Sequence, residues 1–249
     1  MLLRLVIAVA LGLALSQLAT LVTTVYLHRA LAHRALTLSP ATTFVLRILT
    51  WVTTGIRPRQ WVAVHRRHHA HTDEAGDPHS PLLEGYAAVQ LNNVGLYRRA
   101  ARDGVTVARY GRDLPPDRWD RVLFDHAFVG LGLGIVLLCL VLGPVPGLVA
   151  AVVHTASYLL LNAAVNAVGH LWGRQPHDNT ARNVGWLAMV TAGEGWHNNH
   201  HAFPTSARLG MRRAQLDFGW ITIAVLRWFG WATLRPVKVA NQEPIRRAA

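Results

Sequence analysis

MLLRLVIAVALGLALSQLATLVTTVYLHRALAH (residues 1–33) opens with an apolar run from Leu2 to Leu27 that carries a single charge, Arg4. About 20 apolar residues suffice to cross the hydrocarbon of a bilayer as a helix, so this run is long enough to span. A secretory signal would also begin with a basic residue and an apolar stretch and then turn to small residues. Here the apolar character continues past Ala19 through Leu21, Val22 and Val25 to Leu27, and the histidines start at the next residue. A membrane span that ends on two imidazoles, His28 and His33, sets the terms for the rest of the chain.

Two more apolar runs, 122–142 and 147–168, are joined by Gly143-Pro144-Val145-Pro146-Gly147, an uncharged turn. Stretches 36–56 and 216–234 are also apolar, but the first contains Arg47 and the second Asp217 and Arg227. A charge at the bilayer centre costs about 2.5–3.5 kcal/mol on insertion scales. Both stretches are therefore expected to be helices lying at the interface rather than spans. The expected architecture is one all-α integral membrane domain over 1–249, with three spans and a helical cap carrying the polar chemistry.

Composition agrees. The 249 residues are 51% hydrophobic and 15% charged, where a soluble domain carries about 25% charged residues. The formal net charge of +12 is almost wholly arginine, Lys238 being the only lysine. These arginines lie mainly between and after the apolar runs, which suits loops facing an anionic cytoplasmic leaflet. No nucleic-acid recognition module accompanies them. The arginine bias fits a GC-rich bacterial genome and hence a bacterial cell membrane. Cys139 stands alone, so disulfides and thiolate metal clusters are excluded.

The grouping of the 14 histidines is more informative than their number. His65, His68 and His69 share HxxHH spacing with His197, His200 and His201. Positions i, i+3 and i+4 fall on one helix face, so each group points three imidazoles one way. His28 and His33 lie about 140° apart on an ideal α-helix, and the helix is expected to end between them. Asn166 and His170 are again i, i+4, at the end of the last span. His71, His79, His126, His154 and His177 read as structural, His154 in particular because it sits inside a span with no histidine at helical spacing.

Topology tests whether the groups share one site. Between 33 and 65 the chain stays on one side if 36–56 does not span. Between 69 and 197 it crosses twice, through 122–168. All groups then emerge on the same side as the eleven arginines of 57–121, which should be cytoplasmic.

Neutral imidazoles bind iron, copper or zinc. Nine ligands (His28, His33, His65, His68, His69, His170, His197, His200, His201) are too many for one ion and suit two. Structural zinc is satisfied by four ligands and usually includes cysteine. A redox metal at a membrane face therefore points to oxidation of a lipid-soluble substrate.

HRALAH (28–33), WVAVHRRHH (61–69), DPHS (77–80), NAVGH (166–170) and GEGWHNNHHAFP (193–204) together resemble the histidine boxes of membrane fatty acyl desaturases of the delta-9 type, in the same order across residues 15–210. The resemblance implies two irons held by the nine histidines, with Asn166 contacting one metal through water. It implies O2 as co-substrate and a cis double bond as the product. Members of this family commonly carry another span before the first box, which this chain begins too late to hold. Animal acyl-CoA members have charged residues just before the second box, where Ala63 and Val64 stand here. Acyl-CoA, acyl-lipid and carrier-protein substrates all stay open. A lipid hydroxylase on the same scaffold and a non-catalytic membrane metal-binding protein are the rival readings.

Ser16, Thr20, Thr24 and His28 recur at i+4 and form one stripe leading to the metal. They are expected either to line an acyl tunnel or to serve as small-residue helix packing. With no fused haem domain and no cysteine cluster, electrons must come from a separate protein, of ferredoxin or cytochrome b5 type. Arg98 and Arg99 offer it a docking point, although positive-inside orientation is the favoured account of them.

Overall fold

The computed structural model describes residues 1–236 and is mostly helical. Helix α1 (Leu2–Val22) runs without interruption into a π-helical segment, Thr23–Ala32. Strand β1 (Leu36–Leu38) follows, then α2 (Pro40–Thr54) and α3 (Pro58–Ala70). Short helices α4 (Pro81–Glu84), α5 (Tyr86–Leu91), α6 (Asn93–Ala101) and α7 (Gly104–Tyr110) lead to a second π-helical turn, Asp120–Phe124. The hairpin α8 (Ala127–Leu142) and α9 (Pro144–Ala167) comes next, and α10 (Gly185–Val190), α11 (His197–Ala202), α12 (Phe218–Trp228) and β2 (Ala232–Leu234) complete the cap.

Two helical stretches, Leu2–Ala32 and Pro144–Ala167, are long and apolar enough to cross a membrane. They pack on each other through small residues. Ala8, Gly12, Ser16 and Ala19 are buried on α1, and Gly12 sits against Ala150 and Val153 of α9, while Gly147 of α9 sits against Cys139 of α8. A Cβ on Gly12 would stand 2.6 Å from the Ala150 carbonyl oxygen. Glycine is what lets the two backbones approach, as in membrane helix pairs. The outer faces are apolar and open: Leu3, Val6 and Leu13 on α1, Leu148 and Val152 on α9.

Several expectations need correction. The run 122–142 is not one helix. Its first residues form the π-helical turn, the chain breaks at Asp125–His126, and α8 is left with 16 residues, short of the about 20 needed to span upright. It is nonetheless apolar on every side, with Gly130 its one buried residue, seated on the Trp51 ring. The stretches 36–56 and 216–234 are not wholly helical either. Pro40 disfavours helix in the residue before it, so Ser39 is extended and caps α2 by accepting from the Thr42 amide, and residues 36–38 ahead of it form a strand. Gly230, at φ 74°, turns the chain after α12. The two freed segments pair antiparallel, Leu36 with Leu234 and Leu38 with Ala232, so the all-α expectation misses a small sheet. Arg47 is accommodated in α2 by ion pairs with Asp117 (2.7 Å) and Asp120 (2.6 Å), and its guanidinium lies over the Phe124 ring.

Candidate metal centre

The first box is carried by the π-helical segment, which ends at Ala32, between His28 and His33 as expected, with His33 as its C-cap. The His33 amide donates to the His28 carbonyl, 3.0 Å away, an i→i+5 bond. That wider turn stacks residue i+5 over residue i and turns both imidazoles to one side, with ring centroids 4.8 Å apart. The second box sits at the C-terminal end of α3. The third occupies α11, six residues that could not hold a helix unaided. Its two asparagines anchor it. Asn198 bonds His177, Asn179 and Ala181, and Asn199 bonds Asn183, Leu209 and Gln215.

All nine histidines converge, and they separate into two groups. His28, His33, His65, His69 and His200 have ligand atoms within 4.8 Å of one another, as do His68, His170, His197 and His201. The close approaches are between Nε2 atoms: His33 to His65 at 2.8 Å, His28 to His200 and His200 to His69 at 3.0 Å, His170 to His197 at 3.0 Å, His201 to His197 at 3.2 Å. Ligands bound at about 2.0–2.1 Å to one ion stand about this far apart, so the spacing fits a metal in each group. His69 and His201 stack at 4.4 Å and join the two.

The atoms facing away from the centre fit as well. His28 Nδ1 meets Glu194 at 2.8 Å, His68 Nδ1 meets Asp77 at 2.9 Å, and His170 Nδ1 meets Asp73 at 2.7 Å. A carboxylate that accepts Nδ1–H fixes the tautomer and leaves the Nε2 lone pair for a metal. His68 Nε2 is buried with no protein partner, an orphan that a metal would satisfy. Burial, and then the neighbouring imidazoles, hold His65, His69, His197, His200 and His201 well below the ordinary histidine range. They are therefore in the neutral form that ligation needs. Burial pushes the Asp73 carboxyl up, but the His170, Ser80 and Thr180 hydrogen bonds outweigh it and hold it below the carboxylate range.

A cavity of about 100 Å³ reaches the centre from the α1–α9 side. Thr20 and Thr24 line it together with His28, His65, His197, Trp61 and Asn166. Asn166 is thus at the cavity wall. Ser16 is buried one turn further along α1 and is not in the lining, and its hydroxyl and that of Thr20 have no protein partner. Thr24 donates to Glu194.

Of the histidines read as structural, His154 bonds the Thr53 carbonyl, His71 the Tyr110 hydroxyl and His126 the Arg121 carbonyl. His177 meets the Phe203 ring edge-on. His79 is different. It stacks on His68 at 4.7 Å, lines the cavity, and leaves a buried Nε2 without partner. Its place in DPHS, beside Asp77, was the available signal. Sequence reasoning also misses Asp73, Glu194 and Arg29. The Arg29 side chain is 1% exposed and bridges Asp217 (2.8 Å) and Glu194 (3.8 Å).

Comparison with known proteins agrees with this geometry. Residues 4–223 match the family model described as fatty acid desaturase. The chain is 34% identical to delta-9 acyl-lipid desaturase 2 of Arabidopsis thaliana, over 91% of this chain and 73% of that one. It is 33% identical to an acyl-CoA C20 delta5-desaturase of Anemone leveillei, covering 88% and 70%. It is also 33% identical to the sn-2 palmitoyl-lipid 9-desaturase of Nostoc sp. (strain 36), covering 87% and 75%. With the family model matching most of the chain and these relatives aligned along it, the chain belongs to the fatty acid desaturase family, oxidoreductases of lipid metabolism.

Proposed function

We propose that this chain is an integral membrane di-iron desaturase that places a cis double bond, at the delta-9 position, in a saturated acyl chain. The observation that carries it is the division of nine imidazoles into groups of five and four beside a cavity lined from α1 and α9. His28, His33, His65, His69 and His200 would hold one iron and His68, His170, His197 and His201 the other, and Asn166 would contact one of them through water. Iron held in this way supplies the oxidising power to break unactivated C–H bonds with O2. The overall change balances: two hydrogens leave the chain, and with two electrons and two protons from outside they reduce one O2 to two waters.

The protein's own contribution is placement. Asp73, Asp77 and Glu194 fix three ligand tautomers. Thr20 and Thr24 stand at the wall along which the acyl chain lies, and Ser16 extends the same stripe. Two of the three relatives named above are called delta-9 or 9-desaturases, which supports the bond position. Acyl-lipid and acyl-CoA names both occur among them. Electrons come from a separate ferredoxin- or cytochrome b5-type donor at the cytoplasmic face of a bacterial cell membrane. Arg99, paired with Glu84, and its neighbour Arg98 are exposed on α6, open to such a donor.

The test is lipid analysis of cells producing the chain, with total acyl groups resolved by gas chromatography and His200→Ala as control. A new cis-monoene that vanishes in the variant is expected, with product falling at least about 100-fold, the upper end of what ligand-supporting changes cost. Hydroxylated lipid in its place would transfer the same centre to a hydroxylase. No change in any lipid, with a donor co-produced, would refute both.

A further inference from the structure

The two histidine groups differ in the charges that stand behind them. In the group of four, two members are backed by buried carboxylates: His68 by Asp77, both side chains 0% exposed, and His170 by Asp73, at 0% and 2%. In the group of five, one member is backed, His28 by Glu194. The same Glu194 oxygen has the Arg29 guanidinium 3.8 Å away. Arg29 is shared with Asp217, whose carboxylate otherwise bonds the amides of Leu209, Gly210 and Trp220 rather than a histidine. A second cation, Arg66, shares an open pocket of about 430 Å³ with His33 and His69 of the five and His201 of the four, but it is paired with Asp113 at 2.5 Å and leaves the comparison unchanged.

A carboxylate that accepts Nδ1–H makes the imidazole a stronger donor to its metal. A negative charge in a site of low dielectric favours the higher oxidation state, and a nearby cation offsets it. Two carboxylates on one side, against one carboxylate that shares an arginine with Asp217 on the other, do not balance.

We propose that the two metal positions are electronically inequivalent, with Asp73 and Asp77 making the four-histidine position the harder of the two to reduce. This rests on the di-iron reading above. One electron given to the fully oxidised pair reduces one ferric ion to ferrous, at the five-histidine position. The four-histidine position takes the second. Asp73, Asp77 and Glu194 are positioning residues, acting through the histidines they hold.

The experiment uses the full-length protein loaded with ⁵⁷Fe in detergent, with iron counted per chain. It is titrated stepwise with dithionite and followed by Mössbauer spectroscopy. The parent should show two one-electron steps in which distinct ferric signals disappear in turn. Asp77→Asn should move the later step to higher potential and leave the earlier one in place. Asp73→Asn should act on the same step, and serves if the first variant loses iron. Glu194→Gln, which still accepts from His28 and Thr24 but carries no charge, should move the earlier step instead. If the aspartate variants and Glu194→Gln move the same step, or move both alike, the inequivalence is refuted while the di-iron reading stands. Fewer than two irons per chain in the parent would overturn both.

Discussion

Arg66 lies between two histidines of the second box and shows how single residues assemble the centre. Its guanidinium donates to the carbonyls of Leu31, Ala32 and Tyr110 and to Asp113, fastening α3 to the end of the first box. Arg34 closes on the same carboxylate. Burial pushes the Asp113 carboxyl up, but the Arg66 and Arg34 hydrogen bonds outweigh it and draw it down to about 2. Its folded value lies below the about 3.9 of an unfolded aspartate. The stabilisation is thus complete above about pH 4 and is lost as pH falls towards 2. Asp113→Asn is expected to cost about 1.5–3 kcal/mol at pH 7, the range for hydrogen bonds to charged groups. In thermal unfolding in detergent the gap between parent and variant should stay constant from pH 7 to 5 and close below 4. A gap unchanged at pH 3 would mean that the ion pairs are not its source.

At the scale of elements, the stripe on α1 divides by depth. Gly12 and Ser16 belong to the close packing of α1 on α9, while Thr20 and Thr24 face the cavity. Thr20→Trp should shorten the longest acyl chain accepted, read from the products of cells fed chains of graded length. An unchanged profile would place the tunnel elsewhere. The histidine boxes were legible in the sequence because HxxHH at helical spacing means one face whatever surrounds it. The helix end before His33 is legible too, but the 140° separation assumes an α-helix, and nothing in HRALAH announces the wider turn that brings the two rings together. The span 122–142 was overextended because Val122, Leu123 and Phe124 are apolar, while what interrupts them is a local backbone change at Asp125–His126. The β1–β2 pair lay beyond local reading altogether, since its partners are almost 200 positions apart. Asp73 and Glu194 were hidden for a related reason: what an acidic residue backs depends on which histidine the fold delivers to it.

For the whole molecule, the open apolar faces of α1, α8 and α9 suit association with a membrane. Phe128, Leu140 and Val141 on α8 are each more than three-quarters exposed, too much apolar surface for water. After an alkaline carbonate wash the chain should stay with the membrane pellet; release into the supernatant would reduce it to a peripheral protein. The π-helical segment carries a constraint of another kind, visible only over generations. Loss of one residue between Thr23 and Ala32 would let the segment wind as an α-helix and rotate all of α1 by about 100° relative to the histidines. Gly12 would leave the Ala150 carbonyl, and a larger side chain would take its place. Lineages carrying this fold can exchange residues along the segment, but an insertion or deletion there breaks the ligand set and the membrane packing in one event. Its length should therefore drift more slowly than its composition.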